Sequence, residues 1–269
     1  MTRINKETGR GPASPAGEVS HRPMATDHVF TAQCDGTEQQ YVLLLPADFR
    51  PDEPRDMLIA LHGHGSDRWQ FIHDERDECR APRDFAARHG MIYVSPDYRA
   101  RTSWMGPKAE ADMVQIIELL KSTYRVSRVF LCGGSMGGSA CLTFAALHPE
   151  LVDGVASMNG TANFIEYENY QEAICASFGG TKRERPLEYK NRSAEYWPEK
   201  LTMPVGMTVS GQDVSVPPHS VARLARALTA MGQKTLLIYR EESGHWTTYD
   251  DATTILAFML ENARLKDGS

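Results

Sequence analysis

The stretch Phe130-Leu131-Cys132-Gly133-Gly134-Ser135-Met136-Gly137-Gly138 constrains this chain more than any other. The run Arg128 to Cys132 is short, β-branched and aromatic, and reads as a buried strand that stops at glycine. From Met136 through Leu147 the apolar spacing changes, with Ala140, Phe144 and Leu147 falling on one helical face beside Thr143. A serine at such a junction sits on a tight turn, where Gly133 and Gly137 let the backbone pass close to its neighbours without a clashing Cβ. The junction therefore predicts a buried strand feeding directly into a helix, and makes Ser135 a candidate nucleophile.

The rest of the chain repeats the alternation. His28–Gln33 and Gln40–Leu45 read as two opening strands joined by the turn Asp35-Gly36, and Met57–Leu61 as a buried strand running into His62-Gly63-His64-Gly65. A helical stretch over 83–88 closes at Gly90, followed by a strand Met91–Ser95, a helix Ala109–Tyr124 and the serine strand and helix. A strand Leu151–Met158 ends at Asn159-Gly160. Residues 161–200, rich in Tyr, Glu, Lys and Arg with Gly and Pro breakers, predict an irregular, cap-like excursion. The alternation resumes with strand Val205–Ser210, helix Pro217–Met231, strand Lys234–Tyr239 and helix Tyr249–Leu265. This pattern, without internal repeats, predicts an α/β fold: a mostly parallel, doubly wound sheet with helices on both faces. In such a sheet the site lies at the carboxyl ends of the strands.

That rule tests Ser135. A serine hydroxyl needs an imidazole to take its proton, and the imidazole needs a carboxylate to fix its tautomer. Gly211-Gln212-Asp213 follows one predicted strand and Glu241-Glu242-Ser243-Gly244-His245 follows another. The chain order Ser135, Asp213, His245 is that of an α/β-hydrolase triad. The oxyanion donors are expected from the N–H of Met136 and from the His62–Gly65 loop through the N–H of His64, whose side chain is given no part. The blander alternatives are a loop histidine and an Asp213 that caps the helix near Pro217.

Composition narrows the partners. A net charge of -6 and a pI near 5.9 supply no basic field for nucleic acid or an anionic membrane, so neither is expected as a partner. The five cysteines, Cys34, Cys79, Cys132, Cys141 and Cys175, are odd in number and free of metal-ligand spacing, so they are expected to be reduced and mostly buried. His62 and His64 lack a third and fourth ligand at a recognised spacing, so no metal is expected, and no cofactor is called for. Residues 1–26, rich in Gly, Pro, Ser and charge, are expected to form a disordered tail, with Met24 as a second candidate start, ahead of one catalytic domain over 27–269. With no secretory h-region and no bilayer-length apolar run, the expected location is cytoplasmic. The oligomeric state is left open.

Taken together, LHGHGSD, SWMGPKAEADM, RVFLCGGSMGG, VSGQDVSVPP and ESGHW resemble the α/β-hydrolase serine esterases, close to the branch holding feruloyl and acetylxylan esterases, polyhydroxybutyrate depolymerase-type esterases and the prolyl oligopeptidase catalytic domain. The resemblance spans residues 57–246 and implies an α/β-hydrolase fold, Ser135, Asp213 and His245 at the triad positions, and His64 and Met136 at the oxyanion positions. Secreted members of that branch carry signal peptides and structural disulfides; their absence from this sequence speaks against a plant-wall or polymer substrate.

Around the predicted site, Trp104 is expected as a flat wall for a sugar or aromatic ring, and Arg99 and Arg101 as holders of a substrate carboxylate or phosphate. The alternatives are a Trp104 packed under the next helix and arginines paired with Glu110 or Asp112. Trp69, Trp246 and Tyr249 are rim candidates, or pack around the histidine loop. The expected activity is a serine carboxylesterase acting on a small-molecule ester with a short-chain or aromatic acyl group, including esters of sugar-like alcohols. A small serine peptidase or acyl-aminoacyl hydrolase, and a non-catalytic binding module, are the alternatives.

Overall fold

The computed structural model describes residues 25–264. Its eight described strands are β1 (Thr26–Thr31), β2 (Glu38–Leu44), β3 (Arg55–Leu61), β4 (Ile92–Pro96), β5 (Val126–Gly134), β6 (Gly154–Met158), β7 (Val205–Ser210) and β8 (Thr235–Arg240). They form one sheet in the order β1-β2-β4-β3-β5-β6-β7-β8. Only the β1–β2 and β2–β4 pairings are antiparallel. The predicted, mostly parallel sheet is therefore present.

The central strands are buried on both sides, and their alternation sorts the core into two layers. Met57, Ile59 and Leu61 of β3 and Val129 and Leu131 of β5 pack on one face, against α3 (Pro107–Thr123), α4 (Met136–Leu147) and α7 (His219–Ala230). Leu58, Ala60, Phe130 and Cys132 face the other way, onto α2 (Asp77–Arg88) and α8 (Tyr249–Asn262), whose Phe85, Ile255 and Met259 are buried there. Helices thus cover both faces, as a buried parallel sheet requires.

Some boundaries differ from the sequence expectation. Helix α2 begins at Asp77 rather than near residue 83 and runs through Pro82, whose missing N–H made the first turns look non-helical. Strand β5 runs on through Gly133 and Gly134, and β6 starts only at Gly154, after a 3₁₀ turn over Pro149–Leu151. The excursion between β6 and β7 is more ordered than predicted, with α5 (Gln171–Phe178) and α6 (Pro186–Asn191) linked by turns; a four-residue α1 (Gln70–His73) follows β3. Of the tail assigned to 1–26, residues 1–24, including Met24, lie outside the described residues, and Thr26 already pairs with Leu43 in the sheet. Leu265 also lies outside them. Among the described residues no helix is long and apolar enough to cross a membrane. The five cysteines are free thiols; Cys79, Cys132 and Cys141 are buried, Cys175 is half-buried and Cys34 is exposed.

Candidate active site

The strand-to-helix turn holds Ser135 at φ 59° and ψ -119°, a left-handed geometry that costs energy for a residue with a side chain. Packing makes the turn possible. A Cβ on Gly137 would overlap the Leu61 carbonyl oxygen, and one on Gly133 would lie 2.6 Å from the Gly137 carbonyl carbon. The Ser135 N–H donates to the Met158 carbonyl of β6 at 2.8 Å, fastening the turn to the neighbouring strand. Met136 then opens α4, so its N–H is among the first-turn donors that a helix cannot satisfy internally.

Asp213 and His245 follow the carboxyl ends of β7 and β8. The His245 Nδ1–H donates to Asp213 Oδ2 at 2.5 Å. A carboxylate can only accept, so the neutral imidazole keeps Nε2 free as an acceptor. The other Asp213 oxygen, Oδ1, accepts the Ser215 and Val216 N–H groups at 2.9 and 2.8 Å. These two N–H groups lie in the loop ahead of α7, which begins at His219 without a side-chain cap, so Asp213 does not cap that helix: one oxygen of the buried carboxylate fastens its own loop and the other meets His245. Ser135 and His245 line one cavity of about 220 Å³, with no hydrogen bond joining them among the described residues. Beneath the histidine loop, Asn159 Nδ2 donates to Thr247 Oγ1 at 3.1 Å, and Thr247 also bonds Thr208 of β7 at 2.8 Å.

His64 follows β3 and lines the same cavity. Its backbone N–H, like that of Met136, meets no protein acceptor among the described residues. Its ring is also engaged. Trp104 Nε1–H donates to His64 Nδ1 at 3.1 Å, which places the proton of the neutral ring on Nε2, and Tyr170 packs on it with centroids 4.5 Å apart. Burial holds this imidazole below its ordinary pKa.

The predicted surroundings need correction. Trp104 is fully buried behind the cavity-lining His64 and Tyr170, with its indole N–H on His64 and its ring 5.4 Å from that of Tyr170, so it forms no wall for a substrate ring. Arg99 is turned away, with Nε on Asp112 at 2.5 Å and Nη1 on Asp35 at 2.7 Å, which leaves no free fork for a substrate anion. Arg101, beside Asp67 at 3.7 Å, lines a shallower outer cavity together with Trp69, whose ring stacks on His73. Trp246, 52 % exposed, stands on the rim of the Ser135 cavity. Tyr249 instead joins α8 to α2 through a bond from its hydroxyl to Asp84 at 3.0 Å. Sequence reasoning missed Tyr170, Gln70, Arg76, Glu78 and Asn159, all of which line this cavity. For Arg76 and Glu78 the only cue was the charge run from His73 to Arg80, which reads as a solvated helix face; for Tyr170, set in the excursion, there was none.

Residues 83–265 match the model of the prolyl oligopeptidase family. Curated proteins yield no match. Among solved structures, the chain is similar to a protein from Bacteroides ovatus described as a dipeptidyl aminopeptidase IV, with 18% identity and a TM-score of 0.71 over 89% of this chain and 36% of that one. It is similar to puromycin hydrolase, with 18% identity and a TM-score of 0.72 over 91% of this chain and 39% of that one. An S-formylglutathione hydrolase from Agrobacterium tumefaciens shares 15% identity and a TM-score of 0.69 over 93% of this chain and 99% of its own. The chain thus spans little more than a third of the first two and nearly all of the third. At these identities the likeness is one of fold, and the fold is that of the α/β-hydrolases. With more than half of its residues inside the family match, the chain belongs to the prolyl oligopeptidase family of α/β-hydrolase serine hydrolases.

Proposed function

We propose that this chain is a serine carboxylesterase acting on short acyl esters through an acyl-enzyme. Ser135 Oγ attacks the ester carbonyl carbon while His245 Nε2 takes its proton; the carbon–oxygen bond to the alcohol then breaks and the alcohol leaves with that proton. Asp213 holds the imidazole in the tautomer that accepts at Nε2 and stabilises the imidazolium. The N–H groups of Met136 and His64 hold the developing oxyanion. Water, deprotonated by His245, attacks the acyl-enzyme in turn, releasing the acid and restoring Ser135.

The observation that carries this reading is the His245–Asp213 hydrogen bond of 2.5 Å behind a histidine that shares a cavity with a serine on a left-handed turn. A cavity of about 220 Å³ favours small acyl groups over long chains. A second reading, a small serine peptidase or acyl-aminoacyl hydrolase, is favoured by the family match over residues 83–265 and uses the same acyl-enzyme with an amine as leaving group. Hydrolysis of p-nitrophenyl esters from acetate to octanoate, beside methyl ferulate and an aminoacyl anilide, separates the two. Turnover is expected to fall with chain length and to drop by at least about 10⁴-fold in Ser135→Ala. Anilide cleavage without ester turnover would transfer the assignment to the peptidase. Ester turnover that survives in Ser135→Ala would remove Ser135 from the mechanism.

A further inference from the structure

The cavity beside Ser135 has one charged wall. Among its lining residues only Arg76 and Glu78 carry a fixed charge. Glu78 lies in the first turn of α2, and the position a Cβ would take on Gly134 is 3.7 Å from Glu78 Cγ. Gly134 precedes the nucleophile, and Glu78 and Ser135 line the same cavity.

The charges on this wall do not cancel. Arg76 donates from Nε and Nη2 to Asp74 Oδ2 at 2.8 and 2.6 Å, and its backbone N–H donates to Asp74 Oδ1 at 2.9 Å. Only Nη1 faces Glu78, at 3.2 Å from Oε1. One guanidinium is therefore shared by two carboxylates, and Asp74 holds the better geometry. Arg76 is 57 % exposed whereas Glu78 is 18 % exposed, so the attraction is screened more on the arginine side. Of the neutral amides nearby, Asn159 Nδ2 bonds Thr247 and Gln70 Oε1 accepts the Gly63 N–H at 2.7 Å. Turning Arg76 toward a substrate anion would strip both carboxylates of their partner, which disfavours an anionic ligand.

We propose that Glu78 is a specificity-determining residue that selects substrates carrying an ammonium group close to the scissile carbonyl, namely aminoacyl esters or amides in preference to isosteric neutral ones. This rests on the serine-hydrolase reading above and adds the substrate class. The ammonium replaces part of the hydration of Glu78 with a direct charge-assisted hydrogen bond in a small cavity, where screening is weaker than at the open surface.

The test compares kcat/KM for the p-nitrophenyl esters of alanine, propionic acid and succinic acid, each divided by its uncatalysed hydrolysis rate. The corrected alanyl-to-propionyl ratio is expected to exceed about tenfold in the wild type and to fall by about tenfold in Glu78→Gln, through KM more than kcat. Wild-type inhibition by alaninamide against propionamide gives the same comparison without a variant, and the cation is expected to bind more tightly. A ratio unchanged in Glu78→Gln, equal inhibition by the two amides, or a preference for the succinyl ester would each overturn the assignment. These outcomes leave the hydrolase reading standing. Failure of Ser135 to react with a fluorophosphonate, with no ester turned over, would end that reading and the Glu78 assignment with it.

Discussion

Trp104 is buried, yet its indole N–H acts on the cavity through His64. Burial penalises the charged ring, and the bond to Nδ1 uses the lone pair that would otherwise take up a proton. Removing the donor in Trp104→Phe is therefore expected to move the His64 pKa upward, toward its ordinary value of 6.5. An NMR titration of the ring would read it, and a pKa that stays or falls would show that the indole does not hold the tautomer. The ring also packs on Tyr170, so His64→Ala is expected to cost about 1–2 kcal/mol of stability as well as activity, a larger effect than a backbone-only role implies; urea unfolding would measure it. The reason the sequence misdirects here is local. Trp104 and Met105 take left-handed φ values of 46° and 56° without a glycine to announce them, and that turn sends the indole inward. Ser135 was legible because its glycines are obligatory. Glu78 was not, because a carboxylate facing a cavity and one facing water have the same spelling.

The excursion between β6 and β7 was the least legible element, since α5 and α6 are too short for a clear period and are docked by groups distant in sequence. Arg192, just past α6, donates to the Met105 carbonyl at 2.6 Å and to Glu110 Oε2 of α3 at 2.6 Å, while Glu110 Oε1 bonds His148 at the carboxyl end of α4 at 2.8 Å. This cluster fastens the excursion to two helices of the same face. The bond to Glu110 holds the His148 imidazole above its ordinary range, although burial opposes it. For Glu110 burial pushes the carboxyl up, but its bonds with His148 and Arg192 outweigh that and leave it below the usual value. A raised histidine contributes stability that is complete below its unfolded pKa near 6.5 and disappears as pH rises through the folded one. Wild type is therefore expected to exceed His148→Gln by about 1–2 kcal/mol near pH 6, helped by the helix terminus, with the gap closing on the alkaline side. Melting curves from pH 5.5 upward would follow it while avoiding the acid limb, where the Glu110 contribution is lost as pH falls through its lowered value. A gap independent of pH would leave His148 a packing role alone.

At the scale of the molecule, the alternation of strands and helices was legible because each buried run is bounded by glycine or a turn, and the carboxyl-end rule then placed Ser135, Asp213, His245 and His64 on one rim. The antiparallel β2 between β1 and β4, and the sorting of helices to faces, were not legible: strands buried on both sides show no alternation in hydrophobicity, so their apolar runs do not reveal which layer each side chain enters. The sheet lies between the two layers, and β5 feeds both, Leu131 entering one and Phe130 the other. If the sheet couples them into one cooperative unit, weakening either layer must weaken both. Leu131→Ala is expected to cost about 2–5 kcal/mol and Phe130→Ala about 3–5 kcal/mol. The buried thiols supply local reporters, Cys141 in the layer of Leu131 and Cys79 in that of Phe130. Thiol labelling against urea, read peptide by peptide, should expose Cys79 and Cys141 at one common midpoint in the wild type, and at one lower common midpoint in each variant. Were Leu131→Ala to release Cys141 while Cys79 stayed protected, the two faces would unfold separately, and the sheet that aligns the site would be a platform that outlasts one of its own layers.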